Sequence, residues 1–451
     1  MQSFEIDKSD LLRIKTALEG DDAELQLVLA EYHASEIALL FERLPQEAKE
    51  RIINILPTEI ASEVIAEMHE EQDAGELLIG LHPEKRSEII EELDYDDATD
   101  IISQLDEDEQ QELLEDIDQE DADSIRALLV YDENTAGGLM NPELIKVNVN
   151  LDKKGALDEI IRQSEEMEEF YTIYVVDDFN TLQGVLSIKN IIKAHADAKV
   201  KDLVQTDPVY VKADLDQEEV AKLISQYNLT TIPVVDDHMK LLGRITFDDI
   251  IDVMEQENTE DILKISGVSE DEELSGNWKD AVKSRLPWLI INLATAYLAA
   301  SVIRHFDGTV SGVKGIAAYM TIIAGMGGNA ATQALAVTVR RISLSDLTDR
   351  QAYNTVFKEF LVGMLNGAAN GLIVFAIALF YDGNPMLGLV LFLAMTGNLI
   401  IAGLTGASIP LVLKRVGIDP AVASSIIITT FTDCAGFLLP LWLATKILLG
   451  H

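Results

Sequence analysis

The run Tyr171-Thr172-Ile173-Tyr174-Val175-Val176-Asp177-Asp178 returns at an offset of 59 as Thr230-Thr231-Ile232-Pro233-Val234-Val235-Asp236-Asp237. The same offset carries Gly184 onto Gly243 and Ile191-Ile192 onto Ile250-Ile251. Upstream, Leu151-Asp152 lines up with Leu215-Asp216 at an offset of 64, so the first copy holds about five additional residues near Glu165–Phe170. A β-branched run closed by paired aspartates, followed by a glycine turn and an amphipathic stretch, reads as strand, turn, strand and helix. Each copy predicts strand, helix, strand, turn, strand, helix. A duplicated α+β unit therefore occupies the middle of the chain.

On these residues the duplicated unit, 130–254, resembles a tandem pair of CBS domains. That resemblance implies an adenine nucleotide such as ATP, or a metal, as ligand, although no glycine-rich phosphate loop accompanies it. Towards the N-terminus a different repeat appears. Leu44-Pro45, Leu56-Pro57, Met68-His69, Leu81-His82, Leu93-Asp94, Leu105-Asp106 and Ile117-Asp118 recur every 12 residues, with one step of 13. Each unit reads as a turn, an acidic first helical turn and an apolar stripe such as Ile52, Ile53, Ile55 and Leu56. Acids just after a turn suit the positive end of a helix dipole. Residues 1–129 are thus expected to form an α-superhelical array whose core lies between adjacent repeats.

Beyond Phe247 the pattern becomes one long helical run, a connecting segment 255–283 with a linker at 270–277. Five apolar stretches follow in 284–451: Leu286–Ile303, Gly315–Val339, Thr355–Phe380, Met386–Leu413 and Ala421–Leu449. Each reaches the roughly 20 residues that a helix needs to cross a bilayer. The fold class is multidomain: a helical superhelix, a tandem α+β pair and an all-α membrane domain. Lys283, Arg285, Arg340, Arg341, Arg350, Lys414 and Arg415 fall on one side of the spans, which predicts that side, and the N-terminal half with it, to be cytoplasmic and His451 to lie outside.

The formal net charge is −44. From Leu286 onward there are 9 Lys/Arg and 7 Asp/Glu, whereas the first 285 residues carry 25 Lys/Arg and 71 Asp/Glu, a net of −46. Such a polyanion excludes nucleic acid and anionic lipid surfaces as partners of the soluble half. The single cysteine, Cys434, leaves no intrachain disulfide. The N-terminus carries no signal-peptide pattern.

Asp433 stands near the middle of the fifth span, where a carboxylate costs on the order of 3 kcal/mol unless it is paired, protonated or hydrated. The spans read as free of Lys and Arg, leaving no partner for an ion pair. Helical spacing places Ser425, Thr429, Asp433 and Gly436 on one face. The second span offers a matching stripe, Thr321, Gly325, Gly328, Asn329 and Thr332. The pattern is that of a cation site facing water, with packing glycines as the bland alternative. Asn366, Asn370, Thr396 and Asn398 read as interhelical glue. In the soluble half, Asp96, Asp97 and Asp100 share one short helix, and Asp249, Asp252, Glu257, Glu260 and Asp261 cluster from the end of the second copy onward. Carboxylates without Cys or His partners suit hard cations such as Mg2+ or Ca2+. No nucleophile elbow, phosphate loop or HExxH spacing points to an enzyme.

The ordered set Tyr131-Asp132-Glu133-Asn134-Thr135-Ala136-Gly137-Gly138-Leu139-Met140, Gly325–Gln333 and Asp419-Pro420-Ala421 through Thr432-Asp433 resembles the MgtE family of magnesium channels and transporters. The resemblance covers essentially the whole chain. It implies a homodimer in the lipid bilayer, with a superhelical N domain, a CBS pair, a plug helix and five transmembrane helices. It also implies that Asp433 holds hydrated Mg2+ in a pore lined by Gly328, Asn329, Thr332 and Thr429. Asp419 is implied to face metal near the plug helix, and Asp97, Asp100, Asp216, Asp249, Asp252, Glu257, Glu260 and Asp261 to be sensor ligands whose occupancy shuts the pore. Alternatives from the residues alone are a carrier of another divalent cation, Co2+, Ca2+ or Mn2+, and a non-conducting membrane-anchored sensor.

Overall fold

The computed structural model describes residues 8–68, 73–164, 170, 172–268, 278–344, 347–420 and 424–450, the side chains of 8–10, 280, 344, 424 and 425 excepted. The expected linker 270–277, most of the extra residues of the first copy, Tyr171, His69, Ala421 and the Ser425 side chain lie outside the described residues. The chain forms two compact units, Met1–Glu255 and Gln256–His451.

The first unit opens with ten short helices: α1 (Lys8–Leu18), α2 (Asp22–Leu29), α3 (Ala34–Phe41), α4 (Gln46–Ile55), α5 (Thr58–Ala66), α6 (Ala74–Gly80), α7 (Pro83–Glu92), α8 (Tyr95–Ser103), α9 (Glu107–Asp116) and α10 (Gln119–Leu128). The second residue of the repeated dipeptide is the N-cap in six of them: Pro45, Pro57, His82, Asp94, Asp106 and Asp118. Acids fill the first turns that follow, as the dipole favours. Paired apolar residues near the middle of successive helices, Ile52-Ile53, Val64-Ile65, Leu77-Leu78, Ile89-Ile90, Ile101-Ile102 and Leu113-Leu114, are all buried in one core. Packing departs from the expected adjacent stacking. α3 lies on α5, α5 on α7, α7 on α9, α4 on α6, α6 on α8 and α8 on α10. Helices therefore pack on their next-but-one neighbours, and the physical repeat is two sequence repeats. Buried Arg86 on α7 spans such a step, pairing with Glu112 at 2.7 Å and with Asp116 on α9.

Two three-stranded sheets follow, ordered β1 (Lys146–Asn148), β2 (Thr172–Val176), β3 (Leu182–Ser187) and β4 (Val211–Lys212), β5 (Thr231–Val235), β6 (Leu241–Thr246). In each, the first pair is parallel and the second antiparallel, and the register slips at the same place, after Val175 and after Val234. Crossover helices α11 (Lys153–Gln163) and α14 (Gln217–Tyr227) return the chain between parallel strands, with α12 (Ile188–Lys193) and α13 (Val200–Leu203) closing the first copy. The duplicated glycines share one role. A side chain at Gly184 would overlap the Gln205 carbonyl, and one at Gly243 would come within 2.7 Å of the Asn141 carbonyl. In both copies the next amide, Val185 or Arg244, donates to that same carbonyl. The second copy ends in α15 (Phe247–Ser266), 20 residues long, so its last helix and the connecting helix are continuous.

The second unit contains α16 (Trp278–His305), a short α17 (Asp307–Gly312) that the sequence pattern did not announce, α18 (Ile316–Leu344), α19 (Asp349–Asp382), α20 (Pro385–Val416) and α21 (Ser424–Ala444), closed by a π turn at Thr445–Leu449. Five of these segments are long and apolar enough to cross a membrane. The reading of spans free of Lys and Arg needs correcting. Lys358 on α19 and Lys446 after α21 fall within the third and fifth stretches, near their ends. Lys358 lies 3.7 Å from Glu359, an acid only 7% exposed.

Close helix approach organises this unit. Gly363, Gly367 and Gly371 recur once per turn of α19 against α20, where added side chains would overlap the Leu399 carbonyl, approach Thr396 Cα to 2.8 Å and approach the Phe392 carbonyl to 2.9 Å. Small residues let backbones meet where lipid gives no hydrophobic drive for association. Gly363→Val is expected to cost ~1–3 kcal/mol by overpacking and to lower the thermal stability of the detergent-purified chain. Gly308→Ala, which meets nothing within 4 Å, should leave it unchanged, as size-exclusion after heating would reveal.

Candidate metal centre and membrane pathway

Among the described residues one group of three acids converges closely enough to hold a metal ion: Asp94, Asp96 and Asp97. Asp94 is the N-cap of α8, and the other two occupy its first turn. Asn141, itself buried, donates from Nδ2 to Asp96 Oδ1 at 3.2 Å. Its main chain is tied in both directions to Arg244 on β6. Asp249 reaches the group from the first turn of α15, where the Thr246 amide donates to its Oδ2 at 3.1 Å. Burial, reinforced by Asp94, Asp249 and Asp100, pushes Asp97 up to about 8. Burial, then Asp97 and Asp249, raises Asp96 well above the ordinary carboxylate range, and burial also raises Asp249. Mutually repelling acids in a partly dry place bind protons or a cation, and a hard divalent ion suits an all-oxygen set.

Of the predicted ligands, Asp97 and Asp249 meet here. Asp100, exposed midway along the same helix, contributes charge and lines a cavity of about 230 Å³ with Asp132, Glu133 and Asn134. Asp216 sits apart from this group as the N-cap of α14, accepting from the Glu218 amide at 2.9 Å. Asp252 is exposed and Glu257 half-buried along α15. Asp94 is the member of this group that sequence reasoning missed. Its place in the repeated dipeptide marked it as a turn residue, and only the spacing Asp94, Asp96, Asp97 hinted at more.

In the second unit, Lys264 on α15 pairs with Glu260 one turn back and reaches Asp419 at 3.1 Å. Asp261 accepts from the Ser343 hydroxyl at 3.2 Å. Two residues read as metal ligands, Glu260 and Asp419, therefore share a cation supplied by the chain.

The glycine-rich run of α18 divides between its two faces. Gly325, Asn329 and Thr332 are exposed and Gly328 half-exposed, and side chains added at Gly325 or Gly328 would meet nothing within 4 Å. Gly327 is buried, with Asn398 of α20 filling the space its side chain would need. On α21, Thr429 is exposed and Asp433 half-buried, while Thr432 is buried and bonds the Ile428 and Thr429 carbonyls at 3.1 Å. Gly436 does not extend the polar stripe as expected, since it packs against Ala324, 2.7 Å from where its side chain would begin. Ile428 shares a core with Ala331 and Leu335. The two helices thus run antiparallel, and Asp433 stands at the level of Gly327–Ala330. Among the described residues no hydrogen bond or ion pair engages its carboxylate. Asn370 and Thr396 bond carbonyls of their own helices, Asn366 and Phe392. Only Asn398 of the four expected glue residues forms an interhelical bond, to the Ile323 carbonyl at 2.8 Å.

An unpaired acid on an open polar face of long apolar helices, preceded by an acidic soluble unit, defines a cation transporter of the membrane. Comparison with known proteins agrees. Residues 320–443 match the MgtE family model, described as a divalent cation transporter. Residues 32–134 match the MgtE intracellular N domain, and 136–197 and 200–256 match CBS domains. The magnesium transporter MgtE of Thermus thermophilus is 33% identical over 434 residues, covering 95% of this chain and 96% of that one. The magnesium transporter MgtE of Bacillus subtilis is 30% identical over 436 residues, 96% of each. The crystal structure of the cytosolic domain of the Mg2+ channel MgtE in complex with ATP superposes with a TM-score of 0.51 at 36% identity, covering 54% of this chain and 99% of that one. The chain belongs to the MgtE family.

The acid cluster sets a sign for pH dependence. Asp97 keeps its proton up to about 8 in the folded chain, against 3.8 when unperturbed. Between those values the folded state binds more protons than the unfolded one, so metal-free stability falls as pH rises through that window. Thermal unfolding between about pH 5 and pH 8.5 should show that fall, Asp97→Asn should flatten it, and Mg2+ should reverse it at the upper end. A slope identical in Asp97→Asn would remove the cluster as its source.

Proposed function

We propose that this chain carries Mg2+ across the bacterial cytoplasmic membrane and is shut by Mg2+ binding to its acidic soluble half. The observation that carries the reading is Asp433, an unengaged acid level with the open turn Gly328-Asn329. Mg2+ demands octahedral geometry and dehydrates reluctantly. A path of carboxylate, amide and carbonyl oxygens from Asp433, Asn329, Gly328, Thr332 and Thr429 suits the hydrated ion by outer-shell bonding. Asp433→Asn should abolish Mg2+ entry into proteoliposomes loaded with a Mg2+-sensitive dye while leaving the size-exclusion profile intact. Undiminished flux in that variant would end the pore assignment.

The basic side of the spans supports a cytoplasmic soluble half and an external C-terminus. The division into an N domain (1–129), a CBS pair (130–254), a plug segment (255–283) and a pore domain (284–451) follows the repeats. Asp94, Asp96, Asp97, Asp100 and Asp249 form one sensor site in this reading, with Asp216, Asp252 and Glu257 contributing from neighbouring surfaces. Asp261, Glu260 and Asp419 serve the plug. The assembly is a homodimer, ATP binds the CBS pair as in the crystallised relative, and no catalysis is assigned. Closure requires that Mg2+ bind the shut state more tightly than the open one. The description of the family as transporting divalent cations keeps a second reading in view, with Co2+, Ca2+ or Mn2+ as cargo, and competition among these ions during flux separates the two.

Lys264 gives the plug an internal cation. Replacing it by methionine removes the ammonium that Glu260 and Asp419 share. Lys264→Met is expected to hold the pore open at low internal Mg2+ and to steepen its closure as Mg2+ rises, measured as flux against internal Mg2+. A closing curve superimposable on the parent's would show that the ammonium has no part in gating.

A further inference from the structure

Asn398 lies midway along α20 and is fully buried. Its Nδ2 donates to the Ile323 carbonyl of α18 at 2.8 Å. Its Oδ1 finds no hydrogen-bond donor among the described residues. An amide buried in a membrane bundle with its oxygen unbonded costs more than an apolar side chain of the same branching would. Filling space does not account for it, and a buried polar atom left unsatisfied calls for an explanation of its own.

Its position supplies the account. The Ile323 carbonyl begins the helical turn that ends at Gly327, and Gly327 is the residue whose missing side chain admits the Asn398 amide. The same two turns present Gly325, Gly328 and Asn329 on their opposite, open face. Asp433 stands at this level on α21. One interhelical bond on the buried side therefore fixes the rotation and depth of the polar groups on the open side.

We infer that Asn398, seated against Gly327, is a positioning residue that sets the register of the α18 polar turn opposite Asp433 and so sets discrimination between cations. This rests on the reading of the α18–α21 face as the Mg2+ path. Asn398 touches no ion in this account. It acts through the α18 backbone, which a hydrated ion senses as the spacing between Asn329, the Gly328 carbonyl and the Asp433 carboxylate. A carbonyl anchored by a second donor holds a glycine-rich turn that would otherwise be soft, because glycine imposes the least restriction on its own backbone.

The test uses the full chain in proteoliposomes, with Mg2+ and Ca2+ fluxes measured in parallel. Asn398→Leu keeps the branching with bulkier end groups and removes the anchor. It is expected to lower the Mg2+:Ca2+ flux ratio on the order of tenfold, about the effect of one lost buried hydrogen bond, with an unchanged elution profile. Gly327→Ala pushes a methyl into the amide and should produce the same loss with Asn398 present. Joining Gly327→Ala to Asn398→Ala relieves the crowding and should restore stability without restoring the ratio. A parental ratio in Asn398→Leu or in the double variant would overturn the inference by reducing Asn398 to packing. If Asn398→Leu does not fold, the double variant decides by the same criterion. A parent chain passing neither ion would instead overturn the transport reading.

Discussion

Carboxylates held together in partly dry surroundings, without an opposite charge to settle them, are the constraint on which both units turn. Taking a charge out of water is costly, and bringing a second like charge beside it adds to that cost. In the first unit the repulsion is concentrated where α8 begins, between acids of two chain segments some 150 residues apart in sequence. In the second it appears as a lone acid among apolar helices. The acids at α8 are settled by a proton or a cation, and the lone acid of the second unit by a cation or by water. α15 shows another solution in the same chain, since Lys264 pairs with both Glu260 and Asp419.

What holds these acids in place is mostly uncharged. The α8 acids lie at the positive end of a helix dipole, on a helix seated in a row of next-but-one neighbours. Asp249 is delivered by the first turn of the final helix of a duplicated α+β fold whose glycines admit a crossing carbonyl. Asp433 is set in depth by two contacts of α21 with α18, one through Gly436 and one through Ile428. In each case a small or β-branched residue fixes the backbone, and the acid is carried along.

Much of this architecture was legible because it is periodic. The 12-residue dipeptide repeat marked the helix starts themselves, and the 59-residue offset marked both sheets, whose shared register slip only the structure revealed. Five apolar runs of sufficient length foretold five long helices. Tertiary choices were not legible. Nothing local distinguishes packing on the next helix from packing on the one after it. Nor does the glycine-rich run declare that Gly327 faces a neighbour while Gly325 and Gly328 face open space, because a glycine carries no side chain whose character would tell. Gly436 shared a helical face with Asp433 by spacing alone, yet the approach of Ala324 claimed it. Asp94 was hidden by its own regularity, since every repeat needs a cap. Asp216 combined with cap chemistry for the same reason, and there the cap is what the structure uses.

The glycine row between α19 and α20 has a mechanical meaning. Two helices whose backbones touch along three successive turns have no side-chain layer to shear, so they move as one body, a stator. α16 is the opposite case: only Ala299 of its described side chains is buried, and Pro287 interrupts its hydrogen bonding. Any change of shape in the bundle therefore falls to the helices around this pair rather than to the seam between its members. α18 packs directly against α20 of that pair, and so is braced by it.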